Sequence, residues 1–190
     1  MAGDVHDRMV DAAMAMLAQR GLQATSFSEL LAATGAPRGS LYHHFPGGKD
    51  QLVAQAIERA GAVLLNALEA VAGSPPDVVI ERFLAIWRYV LTQSNCGSGC
   101  AVLAVTVGMN AAEQLAQTTA VFRAWRQRLA LLLRRGGLTD AQSRRVAVFL
   151  IAAAEGAVVL SRADQSPEPF EEVARHLLQD VRAIMKRPAA

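Results

Sequence analysis

Helix-breaking residues cut this chain into helix-length pieces, and their spacing constrains the fold more than any other feature. Gly21, Gly35, Pro46-Gly47-Gly48, Gly73-Ser74-Pro75-Pro76, "NCGSG" at 95–99, "GGLTD" at 136–140 and "DQSPEP" at 164–169 each close one stretch of helical periodicity and open another. Within the first piece Met9, Val10, Ala13, Met16 and Leu17 recur at the spacing of one helix face. Hydrophobic residues make up 52% of the chain but aromatics only 5%, with Ala and Leu prominent and few β-branched runs. An all-α protein of about nine helices is expected.

The expected helices span about Val5–Gln19, residues 27–34, Pro37–Phe45, Asp50–Val71, Pro76–Gln93, Cys100–Met109, Ala112–Arg135, Asp140–Ala163 and Pro167–Lys186. Ser26-Phe27-Ser28-Glu29 has the form of a capping box, and Pro37 suits a first helical turn because its missing N–H has no partner there anyway. Thr139 or Asp140 can cap the helix after "RRGG", and Ser166-Pro167 before Glu168 is a helix start. Two short helices joined by a tight turn containing Gly35 make a helix-turn-helix. The 190 residues suffice for one large domain or for a small domain fused to a bigger one.

Bulk electrostatics names no partner. Net charge is +2 and the isoelectric point near 8.8, and up to Leu52 the basic Arg8, Arg20, Arg38 and Lys49 are offset by Asp4, Asp7, Asp11, Glu29 and Asp50. The N-terminal stretch carries acids where a signal peptide wants Lys or Arg, and no uninterrupted apolar run has the length of a membrane span, so a cytoplasmic protein with no membrane partner is expected. Cys96 and Cys100 are too few for a disulfide scaffold, and no His or second Cys pair accompanies them to bind a metal. His6, His43, His44 and His176 lack the partners of a catalytic constellation, so an enzyme is not expected.

Local geometry must therefore carry any DNA-binding role. A recognition helix enters a major groove about 12 Å wide, which favours small residues beside a few hydrogen-bonding ones. Arg38, Gly39, Ser40, Tyr42 and His43 meet that need, while Leu41 and Phe45, four apart, are the apolar anchors. Arg38 can read a guanine edge or a phosphate. His44 and Lys49 suit phosphates, with Lys49 near the start of the next helix, and Thr25 and Ser26 can clamp a neighbouring phosphate. The rival reading is that Tyr and His near a helix end are ordinary surface residues.

"TSFSELLAATGAPRGSLYHHFPGGKDQL" resembles the N-terminal DNA-binding domain of the TetR/AcrR family of transcriptional regulators, across about Val5 to Val53. The doubled Gly47-Gly48, with "GSGC" and "AAAEGAVVLSR" downstream, resembles the LmrA/YxaF-like subgroup. The resemblance implies a TetR-like homodimer that binds a palindromic double-stranded DNA operator, usually as a repressor released by a small molecule. It implies a helix-turn-helix domain over 1–48 and an effector-binding and dimerisation domain over 49–190. It places Arg38, Gly39, Ser40, Tyr42 and His43 at the groove, and Thr25, Ser26, Tyr42, His44 and Lys49 at phosphates. Pro37 belongs to the same DNA-binding stretch but departs from the Ser or Thr common at its position, which puts a side-chain cap there in doubt.

The last two helices, about 140–163 and 167–186, are the implied dimer interface, and "VAVFLIAAAEGAVVL" is apolar nearly all round. Phe83, Trp87, Val105, Met109, Phe122, Trp125 and Leu129 are the candidates for a pocket holding a small hydrophobic or amphipathic effector, with Arg88 and Asn110 as possible polar partners; the alternative for each apolar residue is plain core. No cofactor or metal is expected. Two other readings stay open: an α-helical interaction module that never touches DNA, and a regulator that responds to redox state through Cys96 and Cys100.

Overall fold

The computed structural model describes residues 2–108 and 112–186. Among these the chain forms nine α-helices and no strand: α1 Ala2–Arg20, α2 Phe27–Thr34, α3 Arg38–His44, α4 Gly48–Glu69, α5 Pro76–Gln93, α6 Ala101–Gly108, α7 Ala112–Arg135, α8 Asp140–Asp164 and α9 Glu168–Met185. The breakers act where expected. Gly35 closes α2 in the left-handed conformation (φ 65°), a geometry without penalty for glycine, and Thr139, not Asp140, is the cap of α8, in a complete capping box with Gln142. Several bounds shift by one or more residues: α4 begins at Gly48 and ends at Glu69, and Pro37 stands just outside α3 with no side-chain cap hydrogen bond.

The chain divides into two compact units, each built from separate segments. The first unit comprises residues 1–62 and 100–122. In it α1 packs against both α2 and α6. Its interior holds Met9, Ala13 and Leu17 of α1, Leu30 of α2, Leu41 of α3 with adjoining Phe45, Leu52 and Ile57 of α4, and Val102 and Val105 of α6, all buried. Burying each large aliphatic or aromatic side chain stabilises by about 1.5 to 3 kcal/mol, which is why the periodic apolar face of α1 fixes its rotation.

The second unit comprises residues 63–99 and 123–190, with α5, α8 and α9 packed on one another. The amphipathic α9 turns Phe170, Ala174, Leu177 and Val181 inward, at steps of four, three and four residues. Its start is tied to α8 by the buried Ser161 hydroxyl, which accepts the Phe170 N–H at 3.1 Å. Of the described helices, α8 alone is long and apolar enough to cross a membrane by length and composition; Ala147, Leu150, Ala154 and Val158 nevertheless lie in the core. Its other side leaves Val148, Phe149, Val159 and Leu160 about half exposed.

Candidate nucleic-acid interface

The corner leading into α2 is held by side chains that the sequence offered to phosphates. Ser26 caps α2: its Oγ accepts the Glu29 N–H at 3.3 Å and donates to Glu29 Oε2 at 3.1 Å. Arg20 donates to the other Glu29 oxygen at 3.1 Å and so fastens the end of α1 to α2. Thr25 is turned inward, only 3% exposed, with its hydroxyl donating to the Gly21 carbonyl at 2.8 Å. Lys49, at the start of α4, donates its Nζ to the Leu22 carbonyl at 3.1 Å.

On α3 the division of faces follows the sequence. Leu41 and Phe45 are buried at 1% and 0% exposure, while Tyr42 is 70% exposed. Gly39, Tyr42 and His43, three and four residues apart, share the open face, and a Cβ placed on Gly39 would meet nothing within 4 Å. Ser40 and His44 are half-buried beside them. The backbone of Arg38 opens α3; its side chain lies outside the described set.

The end of α3 is clasped by α1. His6 stacks on Phe45 with ring centroids 5.1 Å apart and meets His44 edge-on at 5.8 Å. This contact and the Arg20–Glu29 pair escaped the sequence reading, because neither partner's spacing announces the other. After α3, the Gly47 N–H is taken by Gln51 Oε1 at 2.9 Å, and Gly48 adopts φ 70°. The doubled glycine thus makes a turn capped from within α4.

The candidates for an effector pocket distribute over both units. Phe83, Trp87, Trp125 and Leu129 are buried in the second unit, where Phe83 and Trp87 meet edge to face at 6.4 Å. The buried Nε1–H of Trp87 has no acceptor among the described residues. Val105 is buried and Phe122 half-buried in the first unit, and Met109 and Asn110 lie outside the described residues. Arg88 is committed elsewhere: it binds Glu171 of α9 through two contacts and Glu81 through a third. A groove of about 370 Å³ between α7 and α8 is lined by Leu131, Arg134, Arg144 and Val148 among others, and by none of the seven pocket candidates.

Cys96 and Cys100 are both buried and neither forms a disulfide. Cys100 Sγ accepts the Leu103 N–H at 3.3 Å, which makes it the cap of α6 rather than the helix's first residue. No cluster of three metal-ligating side chains occurs among the described residues.

This arrangement of an exposed polar face on α3, backed by Leu41 and Phe45 and framed by α1, α2 and α4, is that of a DNA-binding helix-turn-helix. Comparison with known proteins agrees. Residues 9–56 match "Bacterial regulatory proteins, tetR family", and residues 76–176 match "Transcriptional regulator LmrA/YxaF-like, C-terminal domain". The chain belongs to the TetR family of transcriptional regulators.

Within that family it is 33% identical over 182 residues to the HTH-type transcriptional regulator Rv0196 of Mycobacterium tuberculosis, covering 90% of this chain and 91% of that one. It is 25% identical to the HTH-type transcriptional regulator LmrA of Bacillus subtilis, covering 90% and 94%. Among solved structures, a TetR regulatory protein from Rhodobacter sphaeroides superposes with a TM-score of 0.83 at 20% identity, over 92% of this chain and 97% of that one. One from Legionella pneumophila gives 0.80 at 20% identity, over 91% and 95%. TetR-family regulators bind DNA and act as dimers, and the helix-turn-helix of this one is α2 and α3.

Proposed function

We propose that the protein is a ligand-released repressor that binds a palindromic operator as a homodimer in the cytoplasm. The observation that carries this reading is the two-faced α3, with Leu41 and Phe45 buried and Gly39, Tyr42 and His43 exposed. In this reading 1–48 is the DNA-binding domain and 49–190 the effector and dimerisation domain. Arg38, Gly39, Ser40, Tyr42 and His43 face the major groove, and Pro37 sets the entry of the chain into the recognition helix. Thr25, Ser26, His44 and Lys49 frame the flanking phosphates, with Thr25 and Ser26 acting through the turn they brace.

The half-exposed Val148, Phe149, Val159 and Leu160 of α8 support a dimer seam made of α8 and α9 and their twins. The buried aromatic set and the unpaired Trp87 N–H support an effector site for a small hydrophobic or amphipathic molecule with a hydrogen-bond acceptor. Such an effector releases DNA only by binding the released state more tightly, so operator and effector weaken each other reciprocally.

The test is selection of duplexes from a random-sequence pool, followed by mobility shift on the selected sequence. The expected result is a palindromic site with half-sites about one helical turn apart or a multiple of it. Failure to enrich any sequence overturns the reading in favour of an α-helical interaction module.

A further inference from the structure

In the second unit α7 and α8 are joined only by residues 136–139, yet α8 packs closely on α5 and α9, and the space it leaves toward α7 is the groove of about 370 Å³. Each wall is a stripe of side chains one helical turn apart: Arg126, Ala130 and Arg134 on α7, and Asp140, Arg144 and Val148 on α8. The α7 stripe spans about 12 Å along its axis. Ala130 is too small to fill the middle of the groove, and with Leu131 and the half-exposed Val148 it leaves an aliphatic strip there. The charges along the strip do not cancel. Arg144 pairs with Asp140, but Arg126 and Arg134 have neither a carboxylate nor a hydrogen-bond partner among the described residues. Arg134 lies in the last turn of α7, where the helix dipole favours a cation. Arg126 lies about two turns further in, is half-buried and has no such compensation, whereas nearby Arg128 is held by Glu69.

We infer that the α7–α8 groove is a binding site for an aliphatic acid, whose chain lies on Ala130, Leu131 and Val148 and whose carboxylate is taken by Arg126 or Arg134. A guanidinium presents parallel N–H donors that match a carboxylate, and an uncompensated cation beside aliphatic surface is complementary to a ligand with one anionic end and one apolar end. The site is separate from the buried aromatic set on α5 and α7, none of which lines the groove. It stands independently of the DNA-binding reading of α3. Because Val148 also belongs to the half-exposed side of α8, the competing occupant is a second copy of the chain.

The experiment is calorimetric titration of the full chain with three probes: decanoate, decyltrimethylammonium with the same chain and the opposite charge, and butyrate with the same head and a short chain. Decanoate is expected to bind saturably and at least about tenfold more tightly than either of the others, the scale of a hydrogen bond to a charged group. A double variant, Arg126→Gln with Arg134→Gln, should lose that preference for decanoate over the cation. Ala130→Trp, which fills the groove, should abolish decanoate binding; should it fail to fold, Ala130→Glu, which repels the carboxylate, replaces it. Equal binding of decyltrimethylammonium, no saturable binding of decanoate, or undiminished decanoate binding in the double variant or in the Ala130 variant overturns the site. Light scattering supplies the remaining arm. A dimer that dissociates in the double variant marks a second copy as the occupant and likewise overturns it. None of these readouts uses DNA, so failure of the unaltered protein to select a duplex leaves them unaffected.

Discussion

Arg88 of α5 and Glu171 of α9 meet fork to fork, Nε to Oε1 at 2.6 Å and Nη2 to Oε2 at 3.0 Å, across 83 residues of sequence. The hydrogen bonds that Arg88 donates to Glu171 raise the guanidinium's pKa above its ordinary value, against the opposing effect of burial, and Glu81 adds to the rise. The pair is about one-third exposed on each side, so solvent screening limits its worth to about 1 kcal/mol. Arg88→Met is expected to lower the thermal midpoint by about 2 to 4 °C. Exchanging the two charges in Arg88→Glu with Glu171→Arg should recover part of that loss.

The two buried rings of α5 should answer differently to truncation. Phe83→Ala empties a site with 0% exposure and is expected to cost about 3 to 5 kcal/mol in denaturant unfolding. Trp87→Phe keeps an aromatic ring while removing the unpaired N–H. Relief of that buried donor offsets part of the lost packing, so the cost should stay under about 1.5 kcal/mol. A larger loss for Trp87→Phe than for Phe83→Ala contradicts this account.

Tyr42, 70% exposed on α3, offers a separation of binding from stability. Tyr42→Ala should change the unfolding free energy by less than about 0.5 kcal/mol while weakening duplex binding in a mobility shift. Arg38→Ala, if Arg38 reads a base, should relax the selected sequence at one position at a cost of about 1 to 3 kcal/mol.

Gly156 sits on the exposed side of α8, where an added Cβ meets nothing within 4 Å in the protomer. Gly156→Leu should therefore favour the isolated helix by about 1 kcal/mol through propensity. At a seam between twin copies of α8 the same side chain obstructs close approach, so light scattering should show a shift from dimer to monomer. A variant that remains fully dimeric argues against a seam at this point of α8.

The turn before α4 can be probed through backbone strain alone. Gly48 holds φ 70° with open space around it, so Gly48→Ala should cost about 1 to 2 kcal/mol by its left-handed conformation. Gly47→Ala is strained differently, because its Cβ would come within 3.2 Å of Gln51, whose side chain caps the Gly47 N–H.

Most of the architecture was legible because it is written locally. Pro76, the "RRGG" stop and the Ser26 cap each act on residues within four positions of themselves, and α5 and α7 run over the expected spans. The faces of α3 were legible for the same reason, since Leu41 and Phe45 are one helical turn apart. What escaped depends on distant partners. Lys49 reaches back 27 residues to Leu22, and Arg88 forward to Glu171. Nothing in the neighbourhood of either cation distinguishes a committed donor from one that waits for a ligand. The inward turn of Thr25 and the docking of α6 on α1 are likewise products of packing that no local periodicity records.

The interleaving of the two units bears on how the chain is made. The first unit takes its closing segment from residues 100–122, after the chain has already supplied 63–99 to the second. As the polypeptide emerges from the ribosome, α1 through α3 are complete long before α6 exists to lie against α1. Until residue 108 is out, the apolar side of α1 that α6 covers must wait in water or in the care of a chaperone. A stop codon placed neatly after the recognition helix would accordingly release a fragment short of part of its own interior, and transplanting the DNA-binding segment to another protein calls for α6 to travel with it.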